Sequence, residues 1–423
     1  MARNYNAKVR SAIKSVMTIK INKNTALGAL LVALAFSENL KRMTTWVYPF
    51  FVLSILFVLY IMNILKGFGV KQALKIYKTY FYYVIIPYIL IFIYSIIVIC
   101  VKYQNNHFLS RCIGSISSCI LTVIIAISLV FLYKEKTSDV ICYGLLTNYL
   151  IRILIKLPEI GFIGFVQHLF DPLNTFQSVF EQHSIGFTIN LLLIYYLLDQ
   201  KGNNRGKIII ILIADYLILK RIAIVGLLFA FIIWIITDFL LKNKSDKKYF
   251  MVLFVLFILS LAYIVLICSY SNIYKIVMLK LGIYNRFLMS ISFNNYFSLD
   301  IRFLGHGYGF VSSMMSGMDI AGASVEALHN DILKDYIELG FIGFIVTYFY
   351  LYVISLKRLF LKKSCRIKSC VVSIMSYTFV TMLTDNVVEY VAFTCTLFSI
   401  LGVLYFYGED KIRNNLGINN FDD

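Results

Sequence analysis

Residues 207–241 read KIIIILIADYLILKRIAIVGLLFAFIIWIITDFLL, thirty-five positions of apolar character divided by the adjacent cations Lys220 and Arg221. About 20 apolar residues in a helix cross the roughly 30 Å of bilayer hydrocarbon. The stretch, split only at the cations, therefore holds either two full crossings or a tilted or broken pair. A cation placed deep in a bilayer costs about 2.5 to 3.5 kcal/mol, so a compensating anion is expected. Asp215 stands five or six residues back and on a different helix face from either cation, which favours an external anionic ligand.

The whole chain has the same character. Of its 423 residues, 60% are hydrophobic and 15% charged, with a mean hydropathy of +0.79, whereas soluble domains carry about a quarter charged residues. Apolar runs of spanning length exclude a strand barrel. They predict an all-α polytopic bundle of twelve helices near 24–38, 46–65, 80–101, 113–133, 140–157, 183–199, 207–219, 222–241, 249–268, 336–356, 369–385 and 388–407. The first apolar run begins only near Thr25 with no cleavage signal behind it, so the first span is expected to remain as an anchor.

The net charge of +18 sits in short clusters at alternate helix ends. That is an orientation signal rather than a nucleic-acid footprint. With the N-terminus inside, the cytoplasmic segments hold 27 of the 40 Lys and Arg residues; the reverse orientation leaves 13 there. Both termini are then cytoplasmic. The predicted organisation is a basic N-terminus (1–23), a membrane bundle of about nine spans (24–268), an extracytoplasmic loop (269–335), the last spans (336–407) and a tail (408–423). Orientation leaves Lys220, Arg221, Lys275, Lys280, Arg286, Arg302 and Lys334 among the outer cations unexplained. Residues 159–181, rich in Phe, read either as a segment on the outer leaflet or as a surface loop. The eight cysteines lie mostly inside apolar spans without a C-x-x-C, so neither a disulfide framework nor a metal site is expected.

The outer loop holds the densest chemistry. It contains Asn285-Arg286, Arg302, the turn Gly305-His306-Gly307-Tyr308-Gly309, then Glu326, His329, Asn330 and Asp331. Loops of this length are usually functional. Alternate glycines permit a tight turn close to a ligand, or equally a turn joining two short helices. Asp385 and Glu389, four positions apart at the junction of the last two predicted spans, are costly acids for which a cationic partner such as an arginine is expected.

The run from His329-Asn330 through Leu333 to Gly340 and Gly343 matches His-Asn-x-x-Leu-x(6)-Gly-x-x-Gly. In this the chain resembles the O-antigen polymerase and ligase superfamily. The glycine turn upstream, Arg286 opening the loop and Arg221 between two middle spans extend the likeness over the C-terminal half. Lys220 departs from it, since family members often have a small hydroxyl residue there. The resemblance implies glycosyl transfer at the outer face of the bacterial plasma membrane. The donor is an oligosaccharide on undecaprenyl pyrophosphate, the lipid diphosphate is the leaving group, and a chain-length regulator is a further candidate partner. Similarity to the large all-helical (GT-C-like) enzymes implies inversion at the anomeric carbon. A ligase transferring finished chains shares the motif. A flippase for the same lipid-linked unit is the alternative of a different class, although it would have short outer loops and cations along a central cavity.

Such a transfer needs a base for the acceptor hydroxyl and cations for the departing diphosphate. His329 is the candidate base because an imidazole accepts a proton at neutral pH. Glu326 and Asp331 are the rivals, either of which could instead orient it, and Asn330 could cap the following helix. Arg286, Arg221 and Arg302, with Lys220, are the candidate diphosphate ligands, since guanidinium groups pair bidentately with phosphate. Gly340 and Gly343 are read as close helix packing. No bound metal or other cofactor is expected, the cations taking a metal's place.

Overall fold

The computed structural model describes residues 23–36, 55, 57–62, 69–103, 106–171, 178–198, 204–241, 246–280, 284–315, 319–320, 323–324 and 328–408. Glu326, most of the second predicted span, the basic N-terminus and the C-terminal tail lie outside these residues. Apart from short connections and a two-residue antiparallel ladder, Asp319–Ile320 against Ala323–Ser324, the described chain is helical.

In order, the helices are α1 (Lys23–Ala35), α2 (Val70–Lys102), α3 (Asn106–Tyr133), α4 (Thr137–His168), α5 (His183–Leu198), α6 (Arg205–Ile218), α7 (Arg221–Leu241) and α8 (Asp246–Ser269). They continue as α9 (Ser271–Lys280), α10 (Tyr284–Ser292), α11 (Phe310–Met315), α12 (Asp331–Phe360), α13 (Cys365–Met382) and α14 (Val391–Tyr407). Among the described residues, five helical stretches are long and apolar enough to cross a membrane: Val70–Lys102, His107–His168, Arg221–Leu240, Lys247–Ser269 and Asp331–Phe360. The second of these turns back at Lys134, whose φ is 51°. His107 at its start bonds Ser313, and Arg152 on the returning arm bonds Glu181 O.

Burial sorts the helices into a centre and a sheath. A helix apolar on all sides must be surrounded by protein or lipid, and α5 is buried over almost its whole length, with α13 and α14 beside it. The hydroxyls of Ser373, Ser376, Thr378 and Thr381 on α13 bond carbonyls one turn back on their own helix. Internal satisfaction of this kind lets small polar side chains sit between packed helices. Around this centre, α7 exposes Val225, Leu228, Ile232, Ile235 and Phe239. That stripe at helical spacing is stable only against hydrocarbon or further protein.

The two ends of α5 define two poles about 24 Å apart at roughly 1.5 Å per residue. At the Leu198 end, Arg366 bonds Leu198 O and Lys207 pairs with Asp139 at 2.5 Å; the Lys134–Lys136 turn, which joins α3 to the Asp139-bearing start of α4, belongs here too. At the His183 end lie Lys220, Arg286, His329 and Asp385.

The apolar run 207–241 is divided beside Lys220-Arg221. Helix α6 stops at Ile218, Leu219 takes a left-handed φ of 41°, and α7 begins at Arg221. The stretch read as one outer loop folds into α9, α10, the turn Asn294–Tyr296 and α11. Likewise α4 continues into the segment assigned to the outer leaflet, bending at Gly161 (φ 73°) and leaving Phe162, Ile163 and Phe170 exposed.

Candidate active site

Asp385 organises the site. It lies in the turn between α13 and α14 with its side chain fully buried. Its Oδ1 accepts from Asn386 N at 3.0 Å and Tyr390 OH at 3.1 Å, and faces His329 Nδ1 at 3.1 Å. Its Oδ2 has Lys220 Nζ at 3.7 Å, Arg286 Nη2 at 3.7 Å and His183 Nδ1 at 4.0 Å, all beyond hydrogen-bond length. Burial raises the carboxyl's pKa, but the His183 and His329 imidazoles and the Lys220 charge outweigh it and hold Asp385 well below the usual carboxylate range.

Each cation is placed by its own element. Lys220 precedes the first turn of α7, its O accepting from Ile224 N at 3.2 Å. Its stem lies over Gly186, where a β-carbon would come within 3.1 Å of Lys220 Cβ. The ammonium sits 5.5 Å over the Phe187 ring, bonds His183 Nδ1 and pairs with Glu181 at 3.2 Å. Lys220's counter-anions, Glu181 and Asp385, are thus supplied by the protein, whereas the sequence reading favoured an external ligand. Asp215 instead accepts from Asn190 at 2.5 Å.

Arg286 projects from α10, where burial pulls its pKa down despite the carboxylate of Asp385 alongside. Its Nη1 is buried and meets no hydrogen-bond partner among the described residues.

His329 and Asn330 divide the work at the start of α12. Asn330 is the N-cap, its side chain accepting from Leu333 N at 3.0 Å and donating to Tyr263 OH at 2.7 Å. Tyr263 in turn donates to Leu383 O at 3.2 Å, tying this turn to the end of α13. His329 adopts φ 51°, a left-handed conformation that a non-glycine residue holds only when its surroundings enforce it. With its Nδ1 proton given to Asp385, the partly exposed imidazole keeps an Nε2 lone pair able to accept a proton.

Asp331 is almost wholly buried and faces the 385–390 turn. Its Oδ2 accepts from Val388 N at 2.9 Å and its N donates to Asp385 O at 3.3 Å. Lys334 adds an ion pair with Glu389, which also accepts from Ser312 Oγ and Asn386 Nδ2. The two turns carrying His329 and Asp385 are therefore stitched together directly.

Two arginines remain apart. Arg221 is exposed on the first turn of α7, and no hydrogen bond or ion pair joins it to a described residue. Arg302 is exposed in a turn where its own N donates to Asp300 Oδ1 at 2.8 Å, with no link to the Asp385 cluster.

The glycine turn is internal. Helix α12 breaks at Gly340 (φ 71°, ψ −177°), and residues 303–307 fill the break. Phe341 N donates to Phe303 O at 2.8 Å, and Gly307 N donates to Glu338 O at 2.9 Å. Gly305 and Gly340 meet backbone to backbone, with no room for a β-carbon on either. Gly307 packs on Ile99 and Gly309 on the Arg111–Cys112 backbone. His306 sits among these contacts. Burial lowers its pKa to about 4, Nε2 donates to Tyr296 O at 2.7 Å, and Nδ1 meets Tyr103 OH. Gly340 both breaks the helix and packs backbone to backbone on Gly305, while a β-carbon on Gly343 would meet Leu339 Cβ at 3.2 Å and Tyr94 at 3.4 Å or beyond. No group of His, Cys, Asp and Glu among the described residues could hold a metal ion.

Sequence reasoning missed His183, Glu181 and Tyr390. The signal available was a His at the very start of a fully apolar predicted span with a Glu two residues before it. No protein-family model matches the chain, and no curated protein matches it.

Proposed function

We propose that this protein polymerises undecaprenyl-pyrophosphate-linked oligosaccharide units into a surface polysaccharide, in a bacterial plasma membrane crossed about twelve times. The observation that carries the reading is the convergence on Asp385 of two cations and two imidazoles from separate elements. Its position supports an extracytoplasmic site, because it lies at the pole opposite the Lys- and Arg-rich turns that the positive-inside rule keeps in the cytoplasm. In this reading His329 Nε2 accepts the proton of the acceptor hydroxyl as its oxygen attacks the anomeric carbon. Asp385 fixes the imidazole tautomer and stabilises the imidazolium that forms. Arg286 and Lys220 stabilise the charge developing on the diphosphate as the glycosidic C–O bond breaks.

The test is reconstitution of the purified chain with lipid-linked repeat units in the presence of EDTA. A product ladder is expected. Movement of unpolymerised units between leaflets without a ladder would replace the proposal with a flippase.

A further inference from the structure

Lys220 has two carboxylate neighbours of very different freedom. Asp385 is fully buried and pinned at Oδ1 by Asn386 N, Tyr390 OH and His329 Nδ1. Glu181 has a side chain 33% exposed, in the unwound segment just ahead of α5. The backbone there is anchored, with Glu181 O accepting from Arg152 at 3.2 Å and Glu181 N donating to Ser178 O at 3.2 Å. Among the described residues the Glu181 carboxylate itself is paired only with Lys220 Nζ at 3.2 Å, with His183 Nε2 facing it at 3.6 Å, beyond hydrogen-bond length. Because the Lys220 ammonium donates to His183 Nδ1, the neutral imidazole carries its proton on Nε2 and points it at Glu181. His183 is 50% exposed, so this edge of the cluster opens to solvent.

The charges in this cluster cancel. Lys220 and Arg286 carry two positive charges, Asp385 and Glu181 two negative ones. A neutral cluster has no net attraction for a dianion. It acquires one when its partly exposed carboxylate swings away, and the same movement frees Lys220 Nζ and uncovers His183 Nε2, beside Arg286 Nη1, which meets no hydrogen-bond partner among the described residues. We infer that Glu181 is a resident counter-anion occupying the place of a ligand phosphate, and that diphosphate binding displaces it from Lys220 and His183. The inference rests on reading this cluster as a diphosphate site and assigns Glu181 the control of its affinity. The displacement is an exchange of ion pairs; no covalent bond changes.

The experiment uses the full chain in phosphatidylcholine nanodiscs and titrates inorganic pyrophosphate, and in a second arm polyprenyl diphosphate placed in the disc. Glu181→Gln is expected to tighten binding about tenfold and to steepen its salt dependence, because one repulsive charge is gone. Glu181→Asp, which keeps the charge but shortens the reach to Lys220, should fall between it and the unaltered chain, and it serves as the readout if the Gln variant folds poorly. Tightening of both ligands supports recognition of the phosphates alone, and tightening of the lipid-borne ligand only supports delivery from the bilayer. Unchanged or weaker binding of both overturns the inference. Tighter binding without any product ladder removes the polymerase reading and leaves the inference standing, while a ladder with unchanged affinity does the reverse.

Discussion

His329 Nδ1 lies 3.1 Å from Asp385 Oδ1 while the His329 backbone is held at φ 51°. The strain and the contact belong together: the left-handed turn aims the imidazole across at the α13–α14 junction, and Asn330 begins α12 one residue later. His329→Asn is the informative substitution, since Asn tolerates this conformation better than most residues. Its melting temperature in detergent should stay within about 3 °C of the unaltered protein, a shift below about 1 kcal/mol. The product ladder from reconstituted lipid-linked units should disappear. Ladders of ordinary length from this variant would remove the imidazole as base.

Asp385 holds both chemistry and charge. Asp385→Asn leaves Lys220 and Arg286 short of an anion in a poorly solvated place, and loss of one partner of a buried pair costs about 3 to 5 kcal/mol. The expected cost is at the low end, because Glu181 still pairs with Lys220. Turnover should fall by roughly 10² to 10⁴ through lost orientation and proton acceptance. The carboxyl's folded pKa is depressed, so its contribution is complete above the unfolded value of about 3.9 and is lost as pH falls below it. Denaturant unfolding of the variant and the unaltered chain should therefore differ above about pH 4, and by less below that.

Much of this was legible in the chain. Lys220-Arg221 inside an apolar run marked a division of that run, and the left-handed Leu219 lies beside it between the two helices. His-Asn before an apolar run marked a helix start, and Asn330 provides the cap. Charge and burial patterns are local, so they survive in a single sequence. Whether Lys220 finds its anion in Asp215, five residues away, or in Glu181 and Asp385, 39 and 165 residues away, depends on packing across the bundle. No spacing rule reports that. Arg302 and Arg221 resembled Arg286 in sequence for the same reason, and only tertiary position separates them.

The break in α12 separates two glycines that a motif treats alike. A β-carbon on Gly340 would overlap Phe303 O and Leu304 C, and its φ of 71° already disfavours any side chain. A β-carbon on Gly343 meets Leu339 Cβ at 3.2 Å and Tyr94 at 3.4 Å, contacts that small shifts relieve. Gly340→Ala should cost about 3 kcal/mol or more, combining strain with overpacking. Gly343→Ala should cost under about 1 kcal/mol, its small overlap being offset by alanine's better helix propensity. Gly305→Ala meets the same backbone as Gly340→Ala, so the two costs should not add in the double variant. Thermal unfolding of the three single variants and the pair decides this, and equal costs at 340 and 343 would contradict the backbone contact.

His306 gives the fold a pH dependence separate from the Asp385 cluster. It is half-buried as the neutral tautomer, with Nε2–H on Tyr296 O and Nδ1 on Tyr103 OH, and its pKa falls to about 4. The unfolded chain protonates this imidazole near pH 6.5. Between about pH 6.5 and 4 the unfolded state thus binds a proton that the native state refuses, and stability declines as the pH falls through that window. Gln in the same place can donate to Tyr296 O and accept from Tyr103 OH without titrating. His306→Gln should therefore melt close to the unaltered protein at pH 7.5 and lose less on acidification to pH 4.5, measured in one detergent at constant ionic strength. A variant whose melting temperature fell in parallel with the unaltered chain would show that the acid sensitivity resides elsewhere.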